Sequence, residues 1–509
     1  MRRQKILVIV CAVLFILLLA GYFFVITPYI KANTPAEENT TPETEAGELI
    51  GISDRIYIFE AIYSDRIKKI TVENEHGGFA FVRNSKNGFN IEGYENVPYD
   101  DELFALLKNV AGNTLTKTKV MSKASNEKLE EYGLLKPQAN WTVETTDGQF
   151  FKVYVGDALL TGGGYYCMFE GRPGSVYVLS EDILSTILTP VEGYVAPVVC
   201  AGIQQNDYFT VDKFTVYKNG EKMFRIRLVD KDKQLNPNAL AENLMDYPTA
   251  YYPNSQLYYE IIYKFMGFKA DSCYDIKATE DEKAAIGLDD PHYVITFEYN
   301  DFHYEIYFSE LQEDGTYYVE SNMFPGVIGV CKASDVEWVE YGLIEWIDSF
   351  VFQQYVTNIS TLKIESDDIN ALFELTHGES QDGKTTPLYV KADGKELTTE
   401  NVENFRQYYK SLLSVVITDY CVDDEYCKMT EEELQAFISN KDNASLSFTY
   451  RTLAGEESTI AFYPYSTRHS CVTIDGVGEF YVSSDYVKKI VNDTQRVLAG
   501  EEIDANGKY

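Results

Sequence analysis

Two stretches of this chain, Glu131-Tyr132-Gly133-Leu134-Leu135-Lys136-Pro137 and Ile286-Gly287-Leu288-Asp289-Asp290-Pro291, share one layout. In each, a glycine ends a short helical pattern and a proline follows four residues later, where a helix cannot continue. A layout that returns along a chain points to repeated units, each with the same apolar face to bury. Downstream, Tyr165-Tyr166-Cys167, Tyr317-Tyr318-Val319 and His469-Ser470-Cys471 open matching strands. Ser180-Glu181-Asp182, Ser334-Asp335-Val336 and Ser484-Asp485-Tyr486 then open matching helices, so three copies are expected. The third lacks the Gly-Leu-Pro punctuation. It carries the capping box Thr430-Glu431-Glu432-Glu433 where the second has Thr279-Glu280-Asp281-Glu282.

The residue patterns inside each copy predict an α+β fold of antiparallel sheet plus helices. In the first copy Trp141, Val143, Phe151, Val153 and Val155 alternate with polar residues, the pattern of strands with one solvated face. Asp100 is expected to cap a helix whose inward face carries Leu103, Leu106 and Leu107. In the second copy a helix at 257–268 and strands at 292–299 and 302–309 follow an insertion at 235–254, punctuated by Pro237, Pro248 and Pro253. The third has a helix capped by Thr399 and running through Leu413, strands at 444–450 and 458–464, and a last helix from Ser484. The expected modules are 51–200, 210–350 and 356–500.

Ahead of them, residues 6–26 form a run of 21 without a charge, long enough to span a bilayer as a helix. Arg2, Arg3 and Lys5 precede it, so residues 1–5 are expected in the cytoplasm and the body outside it, on a single-pass signal anchor. No A-x-A cleavage site follows, and Tyr22 stands where a lipoprotein would need cysteine. Residues 32–50, rich in Thr, Pro, Glu and Ala, read as a disordered tether. The formal net charge of −35 excludes nucleic acid as a partner, since that needs clustered Lys and Arg.

No catalytic constellation stands out, and no catalytic, cofactor or metal residue is assigned. Ser125-x-x-Lys128 and Ser360-x-x-Lys363 match a serine–lysine pattern that arises by chance in a chain of this length, and Ser125 sits where a helix cap belongs. The five histidines, His76, His292, His303, His377 and His469, are scattered and read as surface residues. The acidic runs Asp367-Asp368, Asp423-Asp424-Glu425 and Glu431-Glu432-Glu433 lack the alternate spacing of a calcium loop. Of eight cysteines, Cys421 and Cys427 are close enough for a disulfide if the chain turns back, whereas Cys167, Cys331 and Cys471 read as small buried hydrophobes. Tyr247, Tyr251, Tyr252, Tyr258, Tyr259 and Tyr263 gather around the insertion and are expected to form an aromatic interaction surface.

A hairpin bearing Trp or Phe, a helix, Tyr132-Gly133-Leu134-x-x-Pro137, a strand pair and Tyr165-Tyr166-Cys167 with Val176-Tyr177-Val178-Leu179, behind one membrane segment, resembles the bacterial DUF4340 family over residues 60–350 and more loosely 356–500. The resemblance implies an envelope protein of unassigned biochemical role, with relatives beside ABC-type transporters of the gliding-motility kind. The expected function is therefore a non-enzymatic, membrane-anchored extracytoplasmic binding or scaffolding protein, an accessory subunit of an ABC-type transporter. Its alternatives are a cell-envelope hydrolase using paired carboxylates and, more weakly, a solute-binding protein.

Overall fold

The computed structural model describes residues 45–51, 55–95, 97–201, 211–228, 243–299, 301–379 and 386–504. The expected stub 1–5, membrane segment 6–26 and tether 32–44 lie outside these, as does the 235–242 part of the insertion. Among the described residues the fold is α+β, with four antiparallel sheets and nine α-helices, none of them long and apolar enough to cross a membrane. The chain divides into two compact units. One runs to Phe89 and takes in Glu102–Thr189; the other comprises Asn90–Asp101 and the chain from Pro190 onward.

One topology is used three times. In the first unit seven successive strands of an eight-stranded sheet run Gly77–Arg83, Ile67–Asn74, Ala139–Thr145, Phe150–Ala158, Gly164–Phe169, Val176–Ser180 and Thr118–Met121. The second unit holds an eight-stranded sheet in the corresponding order, from Asn243–Tyr247 through Glu221–Leu228, Lys213–Lys218, Tyr293–Tyr299, Phe302–Phe308, Thr316–Ser321 and Ile328–Lys332 to Ser272–Asp275. It also holds a nine-stranded sheet that starts at Lys395–Glu396 and ends Leu446–Thr452, Glu457–Pro464, His469–Ile474, Val477–Ser483 and Ile417–Tyr420. In every copy a hairpin pairs with a four-stranded meander. The chain between them runs through a long helix (Asp101–Gly112, Ser255–Lys264 or Thr399–Leu413), so it must cross the sheet to lay a strand on the far edge. A short helix then returns: Asn126–Glu131, Glu280–Ala285 or Glu431–Ser439.

The punctuation works as its chemistry requires. Gly133 and Gly287 end their helices with φ of +69° and +75°, left-handed values that a residue with a Cβ resists. Thr279 and Thr430 each form a complete capping box with Glu282 and Glu433. The first long helix differs from expectation: Phe104, Leu107 and Ala111 form its inward face and Leu106 is exposed, because the stripe follows the i, i+3, i+7 spacing of Phe104.

In the second unit one apolar core runs without a break from the second sheet to the third. The segment 346–352 stitches it together. Trp346 packs on Phe224 and Phe214 at 5.0 and 6.0 Å, and Phe352 on Tyr450, Phe448 and Tyr409 at 5.1, 5.3 and 5.7 Å. Main-chain bonds fix the same segment, from Asp348 N–H to Tyr252 O and from Ile417 N–H to Ser349 O, both 2.7 Å. Truncating a ring packed this way costs about 3–5 kcal/mol.

The first unit is closed by a strap that the sequence reading assigned to the disordered tether. Residues 45–50 are ordered: Leu49–Ile50 pairs with Ile56–Tyr57, and Glu48 is buried. Lys119 Nζ donates to Glu48 Oε1 at 2.8 Å, Arg172 Nη1 lies 3.5 Å from the same oxygen, and Ser175 donates to Glu45 at 2.7 Å. Burial works against the Glu48 carboxylate, but the Lys119 and Tyr177 hydrogen bonds outweigh it and hold the group below its usual range. A Pro/Glu-rich run looks like a linker, yet these two glutamates meet buried cations contributed far downstream. Replacing Glu48 by alanine takes the nearer carboxylate from the Lys119 ammonium, whose side chain is 5% exposed, and leaves Glu45 at 3.5 Å. In urea titrations Glu48→Ala is expected to destabilise the first unit by about 3 kcal/mol, and a loss under about 1 kcal/mol would show the strap to be ornamental.

Candidate functional site

The densest polar cluster in the third copy lies on the face of its sheet turned away from the main core. Along Val477–Ser483, Phe480 and Val482 enter that core, so Glu479 and Tyr481 point to the opposite face. This face is covered by the helix Glu431–Ser439, which buries Leu434 and Ile438 against Cys421, Ala461, Tyr463 and Cys471. The loop leading into the helix turns tightly, with Cys427 N–H bonded to Asp424 O at 2.9 Å.

That turn drives Asp424 inward. Its Oδ2 accepts from Tyr465 Oη at 2.6 Å and lies 2.7 Å from His469 Nδ1, while Oδ1 accepts from Tyr426 N–H at 3.3 Å. Burial would raise the Asp424 carboxyl, but the Tyr465 and His469 bonds prevail and hold it below the usual carboxylate range. The imidazole is boxed by aromatic rings, Tyr481 at 4.5 Å, Tyr426 at 5.4 Å and Tyr465 at 6.4 Å. Arg468 reaches Tyr426 Oη at 3.2 Å. A carboxylate bonded to Nδ1 orients a histidine and leaves Nε2 as the nitrogen that can exchange a proton.

On the same face Glu479 lines a cleft of about 380 Å³ with Tyr420, Asp423, Glu431 and Gln435. Burial, reinforced by the charge of Glu431, pushes the Glu479 carboxyl up to about 6. A carboxyl there can give and take a proton near neutral pH.

The tyrosines expected to form one surface divide between core and solvent. Tyr251, Tyr252 and Tyr258 are buried, which corrects half of that expectation. Tyr251 packs on Phe480 at 5.5 Å, Tyr258 on Phe214 at 5.6 Å, and Tyr252 Oη accepts from Gln354 Nε2 at 3.0 Å. For Tyr258 the reason is the helix Ser255–Lys264, which is the crossing helix of the second copy and turns Tyr258, Ile261 and Ile262 inward. Tyr247 and Tyr263 are exposed, and Tyr259, its hydroxyl accepting from Asn243 at 2.9 Å, stacks on Tyr263 at 6.1 Å. Arg227, Asp246, Tyr252, Gln354, Tyr450 and Asp475 line a second cleft, of about 360 Å³.

Cys421 and Cys427 are free thiols. Cys421 is buried in the cluster beneath the helix and Cys427 is half-buried in the turn, so the expected bridge is absent. Ser125 caps its helix, accepting from Lys128 N–H at 3.4 Å, and Ser360 donates to the carbonyls of Arg451 and Thr452. His292 and His303 go separate ways, to Asn219 and Glu305. The sequence reading placed Asp424 in an acidic run and His469 among surface histidines, and it passed over Glu479. His469 and Asp424 stand 45 positions apart, and the one available signal was that His469 heads the repeated strand while Asp424 closes the third copy's crossover.

Glu479 gives this site a pH signature. The folded-state carboxyl holds its proton to about 6 against an ordinary 4.5, so its stabilising contribution is complete below 4.5 and lost as pH rises through 6. Glu479→Gln removes that loss. Urea midpoints taken across this range should show the variant about 2 kcal/mol more stable than the parent at neutral pH and equal to it in acid; parallel profiles would place Glu479 in water.

A family model described as a domain of unknown function, DUF4340, matches residues 90–291. No curated protein and no solved structure matches the chain. The matched span takes in both glycine–proline stops, Gly133 with Pro137 and Gly287 with Pro291.

Proposed function

We propose that this protein is a membrane-anchored extracytoplasmic binding or scaffolding subunit that acts on a protein partner, such as the subunits of an ABC-type transporter. Residues 6–26 anchor it, residues 1–5 lie in the cytoplasm, and the body stands outside. The observation that carries the reading is the unbroken core joining the second and third sheets. Two modules that share a core move as one body, which holds a recognition surface in place and lowers the ordering cost of binding. Tyr247 and Tyr263, both exposed, supply aromatic contact area on that body.

A second reading, a cell-envelope hydrolase, is favoured by Glu479, whose raised carboxyl shares a cleft with Glu431 and Asp423. A solute-binding role is the weaker third, resting on the cleft at Asp246.

The test is recovery of the full-length chain from its native membrane in mild detergent, with quantitative mass spectrometry of what remains bound. Transporter subunits in stoichiometric yield, lost in a folded Tyr247→Ser, Tyr263→Ser double variant, are the expected result. Recovery of the chain alone would end the subunit reading and turn attention to hydrolysis at Glu479.

A further inference from the structure

The cleft of about 360 Å³ takes its lining from both the second and the third sheet, and its two walls carry opposite charge. One wall is the outer hairpin of the second sheet, where Arg225 pairs in register with Tyr247 and Arg227 with Leu244. Asp246 accepts there from Arg225 Nε at 2.7 Å and Nη2 at 3.1 Å, while Arg227 approaches it through Nε alone, at 3.4 Å. One carboxylate thus meets two guanidinium groups, and the terminal nitrogens of Arg227 have no partner among the described residues. The other wall comes from two hairpin ends of the third sheet, which bring Glu456, Ser458 and Asp475 to the cleft. Asp475 Oδ1 accepts from the Thr459 N–H at 2.8 Å and Oδ2 from Ser458 Oγ at 3.1 Å. These neutral donors orient the carboxylate without cancelling its charge. Glu457 is paired with Arg451 at 2.8 Å, but neither Asp475 nor Glu456 has a cationic partner among the described residues. Tyr252 and Tyr450, both nine-tenths buried, also line the cleft, with Gln354 donating to Tyr252 Oη at 3.0 Å. The walls are tied together: Thr249 Oγ1 donates to Ile474 O, next to Asp475, at 2.9 Å.

We propose that this cleft binds a small zwitterion, a free amino acid or short peptide, with its carboxylate on Arg227 and its ammonium against Asp475 and Glu456. The inference names a ligand for the solute-binding reading above and rests on it. A guanidinium fork grips a carboxylate through two parallel N–H···O bonds, and the terminal nitrogens of Arg227 are the donors available for them. An ammonium brings three donors and the positive charge that Asp475 and Glu456 lack in a partner. A simple anion would satisfy Arg227 and be repelled by the acidic wall, and a simple cation would meet the reverse, so the two walls together select a ligand with both charges. A volume of about 360 Å³ is near the lower end for ligand clefts and suits an occupant of one or two residues. Because both walls belong to one core, the site is preformed and little ordering opposes binding.

The test is isothermal titration calorimetry on the full-length protein in detergent, with the proteinogenic amino acids and dialanine as probes, each also in N-acetylated and C-amidated form. The expected result is saturable binding of one ligand per chain, weakened about tenfold or more when either end is blocked. Arg227→Gln should weaken the free ligand by a similar factor and erase its advantage over the C-amidated form. Asp475→Asn keeps the acceptor for Thr459 and tolerates the left-handed φ of +55° at that position; it should erase the advantage over the N-acetylated form. Melting temperatures equal to the parent's show that both variants are folded, and the end-blocking comparison on the parent stands without them. Free and blocked forms binding alike would overturn the zwitterion while leaving a solute site in place. No binding by any probe would overturn it and leave the solute-binding reading without a ligand.

Discussion

The apolar seam between the second and third sheets is the contact on which the larger unit depends. Each sheet has one face that must be covered, and a helix crossing it covers only part. The remainder is covered by the segment 346–352, which sends Trp346 into the rings of the second sheet and Phe352 into those of the third. Tyr251 crosses the same seam to Phe480, and Thr249 Oγ1 donates to Ile474 O at 2.9 Å. Because these contacts are shared, neither sheet has a complete core of its own.

The opposite face of each sheet is solved three times by one device and three chemistries. In the first copy the returning helix packs Leu129 and Tyr132 against Val176, with Tyr132 stacked on Tyr166 at 4.2 Å. In the second, Lys283 of that helix meets the buried Glu320 at 2.8 Å. In the third the helix covers two thiols and borders Asp424, His469 and Glu479. A fold needs only the first solution for stability. The third places a proton-exchanging carboxyl and an oriented imidazole where simple packing would do.

Much of the architecture was legible because the punctuation is local. Gly133, Gly287, Thr279 and Thr430 act within a few residues of themselves, and their roles follow from backbone geometry. The tyrosines were legible only in part. Tyr258 and Tyr263 share a helix, and a compositional cluster does not say which face each takes; the 3.6-residue period does, and it sends Tyr258 to Phe214. The strap failed for a different reason. Glu45 and Glu48 sit in a run whose composition is that of a linker, and their partners Lys119, Arg172 and Ser175 are set by pairings far along the chain. The same holds for Asp424 and His469, which strand register alone brings together.

The central claim is that the second and third sheets form one cooperative body. Hydrogen exchange read by mass spectrometry, in rising urea below the unfolding transition, tests it most directly. The shared core predicts that amides in Phe302–Phe308 and Leu446–Thr452 are released in one opening event, with the same free energy and the same urea dependence. Two separable openings, with either sheet exchanging while the other stays protected, would contradict it and leave the modules as independent beads.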